Sequence, residues 1–298
     1  MIARRTFTAA ALLAGAIPAV ALARTDQKHR WTAGRLASLN QALAKLEAAS
    51  KGRLGVSLLD TASGQAAGYR GDERFLMLSS FKTLAAAYIL ARADRGEDQL
   101  DRRIPIAEAD LLEYAPVTRL HVGPRGMTLA GLCEATITTS DNTAANLMHR
   151  SYGGPRALTR FIRGLGDTVT RHDRYEPELN RPHAGEPLDT TSPHAMSRTL
   201  GILLFGPALQ PGSRRLLQSW LLASTTGGKR LRAGFPADWK VGEKTGTDSQ
   251  VGANDAGFAQ PPGGAPIVVS AYLETTAIPM AERDRIIAEV GRQAAALG

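Results

Sequence analysis

The segments of this chain that suit β-strands lie near its two ends, and the stretch between them reads as helix. Leu54 to Asp60 fits a strand, Ala62-Ser63-Gly64 a turn, and Gln65 to Tyr69 a hairpin partner. The next such segments come only after residue 238: Lys240 to Thr247, Ala253 to Ala259 and Ile267 to Glu274, the last two joined by Pro261-Pro262-Gly263-Gly264. Residues 100–222 hold mostly helical windows broken by Gly and Pro loops. Strands must lie side by side, so the two ends have to meet. The pattern predicts one discontinuous α/β domain, 24–72 and 223–298, and an inserted helical domain, 73–222. A length of 298 residues suits two such units. Leu36, Leu39, Leu43 and Leu46 mark an amphipathic helix near the start. Ser79 to about Asp94, closed by Arg95-Gly96, and Met280 to Ala296 read as two more.

Residues 1–23 read as a leader and not as fold. Arg4 and Arg5 precede an apolar run from Ala9 to Ala23, and Ala21-Leu22-Ala23 makes a small-residue cleavage site. Arg4-Arg5 followed by Phe7 suits a twin-arginine signal as well as a general-secretion one, so the export route stays open. No other stretch nears the ~18 apolar residues a membrane span needs, so no membrane anchor is expected. The net charge of +8 raises the question of a polyanionic partner, and two of those charges leave with the leader. Arg150, Arg156, Arg160, Arg163, Arg171 and Arg174 lack interleaved aromatics and read as a solvated surface, with no nucleic acid partner. One cysteine, Cys133, excludes an intrachain disulfide. The six histidines form no ligand spacing, so no metal or cofactor site is expected.

Three short motifs carry chemistry. Ser79-Ser80-Phe81-Lys82 is an S-x-x-K at a predicted helix start, which puts Ser79 and Lys82 on one face. A serine hydroxyl is a poor nucleophile until a neighbour takes its proton, and a desolvated lysine can do so. By itself the motif is weak, because Ser79 could be a cap and Lys82 a solvated side chain. Ser140-Asp141-Asn142 follows, and then Lys244-Thr245-Gly246 on a predicted strand, where Gly246 would let a ligand approach the backbone closely.

In this order the three motifs resemble class A serine β-lactamases, within the superfamily shared with penicillin-binding proteins. The resemblance spans roughly residues 35–296. Its most specific part is Arg174-Tyr175-Glu176-Pro177-Glu178-Leu179-Asn180 with Asp189-Thr190-Thr191, which is similar to the family's omega loop, here 174–189. The resemblance implies an α+β, two-domain fold: an antiparallel sheet flanked by helices plus an inserted all-helical domain. It also implies a set of roles. Ser79 is the nucleophile, Lys82 and Glu176 the bases, and Ser140 the proton donor to the departing nitrogen. The backbone N–H groups of Ser79 and Thr247 form the oxyanion hole. Lys244, Thr245, Gly246, Thr247 and Arg230 bind the substrate carboxylate side. Asn142 meets the acylamide, Tyr114 lies at the pocket mouth, and Asn180 holds the hydrolytic water with Glu176. Arg174, Asp189, Asp141 and Pro177 are structural, with a cis bond at Glu176-Pro177.

The chain also departs from many relatives. Ala86 and Leu78 with Asp248 stand where relatives place disulfide partners, and Cys133 is expected to be a buried, inert thiol. The implied function is hydrolysis of penicillins and cephalosporins by an exported, periplasmic monomer that needs no cofactor. The alternatives are a D-alanyl-D-alanine peptidase and a β-lactam-binding sensor or module that acylates without turnover. Glu176 argues against the first, because hydrolysing an acyl-enzyme needs a base beside it.

Overall fold

In the computed structural model, residues 31–297 are described. The leader read over 1–23 lies outside them. Helix α1 (Ala33–Ser50) opens the fold, capped by the Thr32 side chain. Strands β1 (Arg53–Asp60) and β2 (Ala66–Tyr69) form the expected hairpin. After the short β3 (Phe75–Leu76), a 3₁₀ turn at Leu78–Ser80 leads into α2 (Phe81–Asp94). The middle of the chain holds β4 (Arg103–Ile106), β5 (Gly123–Thr128), α3 (Leu129–Thr138), α4 (Asn142–Ser151) and α5 (Pro155–Gly164). It continues through a 3₁₀ turn at Glu178–Asn180 to β6 (Thr190–Thr191), α6 (Pro193–Leu204) and α7 (Pro211–Leu222). The chain returns through α8 (Leu231–Gly234), β7 (Lys240–Asp248), β8 (Gly252–Gln260) and β9 (Ile267–Glu274) to α9 (Met280–Ala295).

The five long strands pair antiparallel in the order β2-β1-β9-β8-β7, so the two ends of the chain share one sheet. The two-residue period of β9 divides its side chains between two cores. Ile267, Val269, Ala271 and Leu273 join Leu54, Val56 and Leu58 of β1 against α1 and α9, with Leu39, Leu43, Ile287 and Val290. Val268 and Tyr272 turn the other way, into the core of α2, α3, α4, α6 and α7. Helix α2 is buried from Phe81 through Ala87 and again at Ile89, Leu90 and Ala91, which its Ala- and Leu-rich sequence permits. It is the central rod of the molecule.

The segment read as wholly helical carries two small ladders. β4 pairs with β5, and β3 with β6. Their strands are short, and Pro105, Gly123, Pro124 and Gly126 interrupt any alternation, so no period of two is visible there. Cys133 is a buried free thiol whose burial pushes its ionisation up, away from reactivity. Among the described residues no helix is long and apolar enough to cross a membrane.

Candidate active site

A cleft of about 380 Å³ opens where the outer edge of β7 faces the helices. Ser79, Tyr114, Ser140, Asn142, Asn180, Thr226, Thr245 and Thr247 line it. β7 is the last strand of its sheet, so one row of its backbone groups has no strand partner and is free to face this cleft.

Ser79 sits in the turn that enters α2, not inside the helix. The residue before it, Leu78, has φ of 45°, a left-handed conformation that a branched side chain tolerates poorly. Its neighbours hold it there. Asn254 Nδ2 donates to the carbonyls of Leu76 and Met77, at 3.3 and 2.9 Å. A Cβ on Gly246 would come within 2.8 Å of Leu78 Cβ and 2.1 Å of Asn254 Oδ1. The glycine of the Lys244-Thr245-Gly246 motif therefore makes room for the Leu78–Ser80 turn.

Lys82 is fully buried one turn further on. Its Nζ donates to Ser140 O at 2.9 Å, to Asn142 Oδ1 at 2.5 Å and to Ser140 Oγ at 3.3 Å, and it lies 3.1 Å from Glu176 Oε1. Burial pulls its ionisation down and the Glu176 carboxylate opposes this. Glu176 Oε1 also accepts from Ser79 Oγ at 3.4 Å, and Glu176 Oε2 from Asn180 Nδ2 at 2.7 Å. One carboxylate thus touches the serine, the lysine and the omega-loop amide. The Glu176-Pro177 bond is cis. Asn146 grips the backbone of Glu176 at both atoms, donating to its carbonyl at 2.9 Å and accepting from its N–H at 3.0 Å. Arg174 Nε meets Asp189 Oδ2 at 2.6 Å across the neck of the loop.

Asp141 holds the opposite wall. Its carboxylate caps α4 through Ala144 N at 2.8 Å and accepts the N–H groups of Val117 and Thr118 at 3.0 and 2.9 Å. This ties the 114–118 segment, and half-exposed Tyr114 with it, to Asn142, whose N–H donates to Tyr114 O at 3.0 Å. Ser140, which lines the cleft, has φ of 64° and is likewise left-handed.

Lys244 and Arg230 stand behind the lining. Lys244 is fully buried, donates to Thr245 O at 2.7 Å, and is pushed down to about 7 by burial and by the charge of Lys82. Arg230 donates to the carbonyls of Gly246 and Asn254 and, through Nη2, to Thr247 Oγ1 at 2.8 Å, while its Nε pairs with Asp284 at 2.7 Å. The surface they present to the cleft is a row of hydroxyls, Thr245 and Thr247 with Thr226, which bonds Thr245 Oγ1 at 2.6 Å. Sequence reasoning missed Thr226, Asn146 and Asn254. The Ser224-Thr225-Thr226-Gly227-Gly228 run beside the strand was the one available signal, and only for Thr226.

The model of the β-lactamase enzyme family matches residues 38–297. The chain belongs to the β-lactamase enzyme family. Its sequence is 48% identical over 297 residues to β-lactamase L2 of Stenotrophomonas maltophilia, covering 98% of each chain. It is 47% identical to a β-lactamase of Streptomyces albus G over 96% of this chain and 93% of that one. Among solved structures, the reconstructed class A β-lactamase of the last common ancestor of Gram-negative bacteria superposes with a TM-score of 0.85 at 56% identity, covering 87% of this chain and 98% of that one. This places the chain among the class A enzymes, as an α+β fold with an antiparallel sheet flanked by helices. In a β-lactamase of this class, a buried carboxylate in contact with both a serine and a lysine is a geometry suited to acyl transfer followed by hydrolysis.

Proposed function

We propose that this protein hydrolyses the β-lactam ring of penicillins and cephalosporins through an acyl-enzyme on Ser79. The observation that carries the reading is Glu176. Its carboxylate lies within 3.4 Å of Ser79 Oγ and 3.1 Å of Lys82 Nζ, and it is held by Asn180.

Lys82 and, through a water, Glu176 take the Ser79 proton as Oγ attacks the lactam carbonyl. The developing oxyanion meets the backbone N–H groups of Ser79 and Thr247. Ser140, in contact with Lys82, delivers a proton to the departing lactam nitrogen, and the C–N bond breaks to leave the ester. The Thr245 and Thr247 hydroxyls receive the substrate carboxylate, with Lys244 and Arg230 supplying positive field from behind them and Gly246 packing the strand close. Asn142 meets the acylamide and Tyr114 flanks the mouth. Glu176 and Asn180 then hold a water against the ester. Glu176 takes its proton, hydroxide adds, and Ser79 leaves with the acid released. The export motif at 1–23 supports delivery to the periplasm, where such a substrate arrives.

The test is turnover. Purified protein should consume a chromogenic cephalosporin many times per active site; a single stoichiometric burst would point to a binding module or a peptidase. Glu176→Ala should slow deacylation by about 10²–10⁴-fold. A penicilloyl adduct on Ser79 should then persist in the mass spectrum, and its rapid loss would remove Glu176 from the role.

A further inference from the structure

Two acidic side chains that the proposed mechanism does not use lie under the carboxylate side of the cleft. Glu243, on β7, and Asp255, on β8, are both fully buried. Each has one oxygen accounted for. Arg232 Nη2 donates to Glu243 Oε1 at 3.0 Å, and the N–H of Leu231 donates to Asp255 Oδ2 at 3.1 Å. The other two, Glu243 Oε2 and Asp255 Oδ1, are buried with no N–H or O–H donor. Glu243 lies opposite Gly257 and Asp255 opposite Thr245, so the two are diagonal neighbours on one face of the paired strands. Two carboxylates so placed cannot satisfy each other's free oxygens, since both are acceptors only and their charges repel, whereas one bound proton between them can. A buried polar oxygen also costs free energy until something donates to it.

The surroundings supply less positive charge than two anions need. Arg232 serves Glu243, whereas Arg230 on the same segment already pairs with Asp284 of α9. Lys244 of β7 is itself pressed towards neutrality. From β9, the residue opposite Asp255 is Ala271, which brings no side-chain donor, and Tyr272 lies on the other face of the sheet. The space is tight as well: a Cβ on Gly227 would fall 1.8 Å from Glu243 Oε2.

We propose that Glu243 and Asp255 share one proton, and that this neutral-to-anionic acid pair positions the 226–232 segment against β7. That segment carries Thr226, bonded to Thr245, and Arg230, bonded to Thr247. The pair thereby sets the row of hydroxyls that meets the substrate carboxylate. Glu243 and Asp255 are positioning residues and touch no substrate. Only the kinetic consequence rests on the proposed function; the proton count does not. Burial and the neighbouring Glu243 both push Asp255 well above the ordinary carboxylate range, in keeping with a bound proton at neutral pH.

The sign of the pH effect follows. The native pair keeps a proton that the unfolded chain releases above about pH 4, so this pair makes the wild type less stable as pH rises. Asp255→Asn keeps one donor, one acceptor and the same net charge, but needs no such proton. Its melting temperature, relative to wild type, should therefore climb by about 3 °C per pH unit between pH 5 and pH 8. A difference that stays flat with pH would overturn the shared proton. Glu243→Gln provides the same comparison should Asp255→Asn fail to fold. On the wild type itself, infrared difference spectra at pH 7.5 should contain the C=O stretch of a protonated carboxylic acid that either amide variant removes; its absence would equally sink the proposal. Asp255→Ala should raise KM for a penicillin about tenfold with little change in kcat. Asp255→Asn should restore it. An equal fall in kcat, or no rescue by the amide, would remove the positioning role. If the wild type shows no turnover, the melting and infrared arms still decide the proton.

Discussion

Arg230 shows how a cation can serve a site without lining it. Its guanidinium is buried, and its hydrogen bonds go to two strand carbonyls, to Asp284 and to Thr247 Oγ1. A planar, permanently charged fork can do all of this at once, and a lysine could not. With the guanidinium donating to its oxygen, the Thr247 hydroxyl keeps its own proton to give, and under the proposed function a substrate carboxylate receives it. Arg230→Ala should therefore lower kcat/KM for penicillins by about 10–100-fold, mostly through KM, at the 1.5–3 kcal/mol typical of a charge-assisted bond. Steady-state kinetics against a penicillin measures this, and an unchanged kcat/KM would move the carboxylate contact elsewhere. Arg230 was readable in the sequence only as a candidate cation near the strand. Its burial and its partner Asp284, on the far closing helix, are products of tertiary folding with no local mark.

At the scale of elements, Asp141 joins α4, the 114–118 segment and the Ser140 bend through one buried carboxylate. Asp141→Ala removes a helix cap and leaves the Val117 and Thr118 N–H groups without an acceptor. The cap is worth about 1 kcal/mol and each stranded donor about 1–3 kcal/mol. The expected loss is at least about 3 kcal/mol, seen as a fall of about 6–12 °C in calorimetric Tm. Asp141→Asn, which keeps an acceptor oxygen, should fall less; equal losses would refute the account. The elements themselves were legible to different degrees. The β1–β2 hairpin and the β7, β8 and β9 run show alternation or turn residues, and they lie within a residue or so of the expected bounds. The β3–β6 and β4–β5 ladders were not seen, because the two-residue strands of the first are too short to show a period and Gly and Pro interrupt the strands of the second. The site split in the same way. Ser79, Lys82, Ser140, Glu176 and Lys244 sit in compact motifs, whereas Asn146 and Asn254 act on backbone far away in sequence, as ordinary amides with no spacing to mark them.

For the whole molecule the acid limit of stability is set in part by two histidines. His149 of α4 and His172, at the entry to the omega loop, are fully buried, with ring centroids 4.7 Å apart. Both stack on Phe81, at 5.3 and 4.3 Å, directly behind Lys82. Burial is the main force that presses both below their ordinary range, His172 to about 3; for His149 the nearby His172 and Lys82 charges add to it. The folded chain therefore keeps both neutral, while the unfolded chain protonates them near pH 6.5. Two protons bound only by the unfolded state make stability fall by about 2.7 kcal/mol per pH unit below that point, until the folded-state values are reached. Lowered carboxylates such as Asp98, Asp110 and Asp173 add a loss only nearer pH 4 and below. The proton proposed for Glu243 and Asp255 acts in the opposite sense at about 1.4 kcal/mol per pH unit, so between pH 6 and pH 4.5 the two histidines should still dominate. Replacing both with leucine, which suits the apolar stack, should flatten the dependence of Tm on pH over that interval and leave the steeper carboxylate fall beneath it. A double variant whose melting curve tracks the wild type from pH 6 to pH 4.5 would show that the two rings are not what limits the fold in acid.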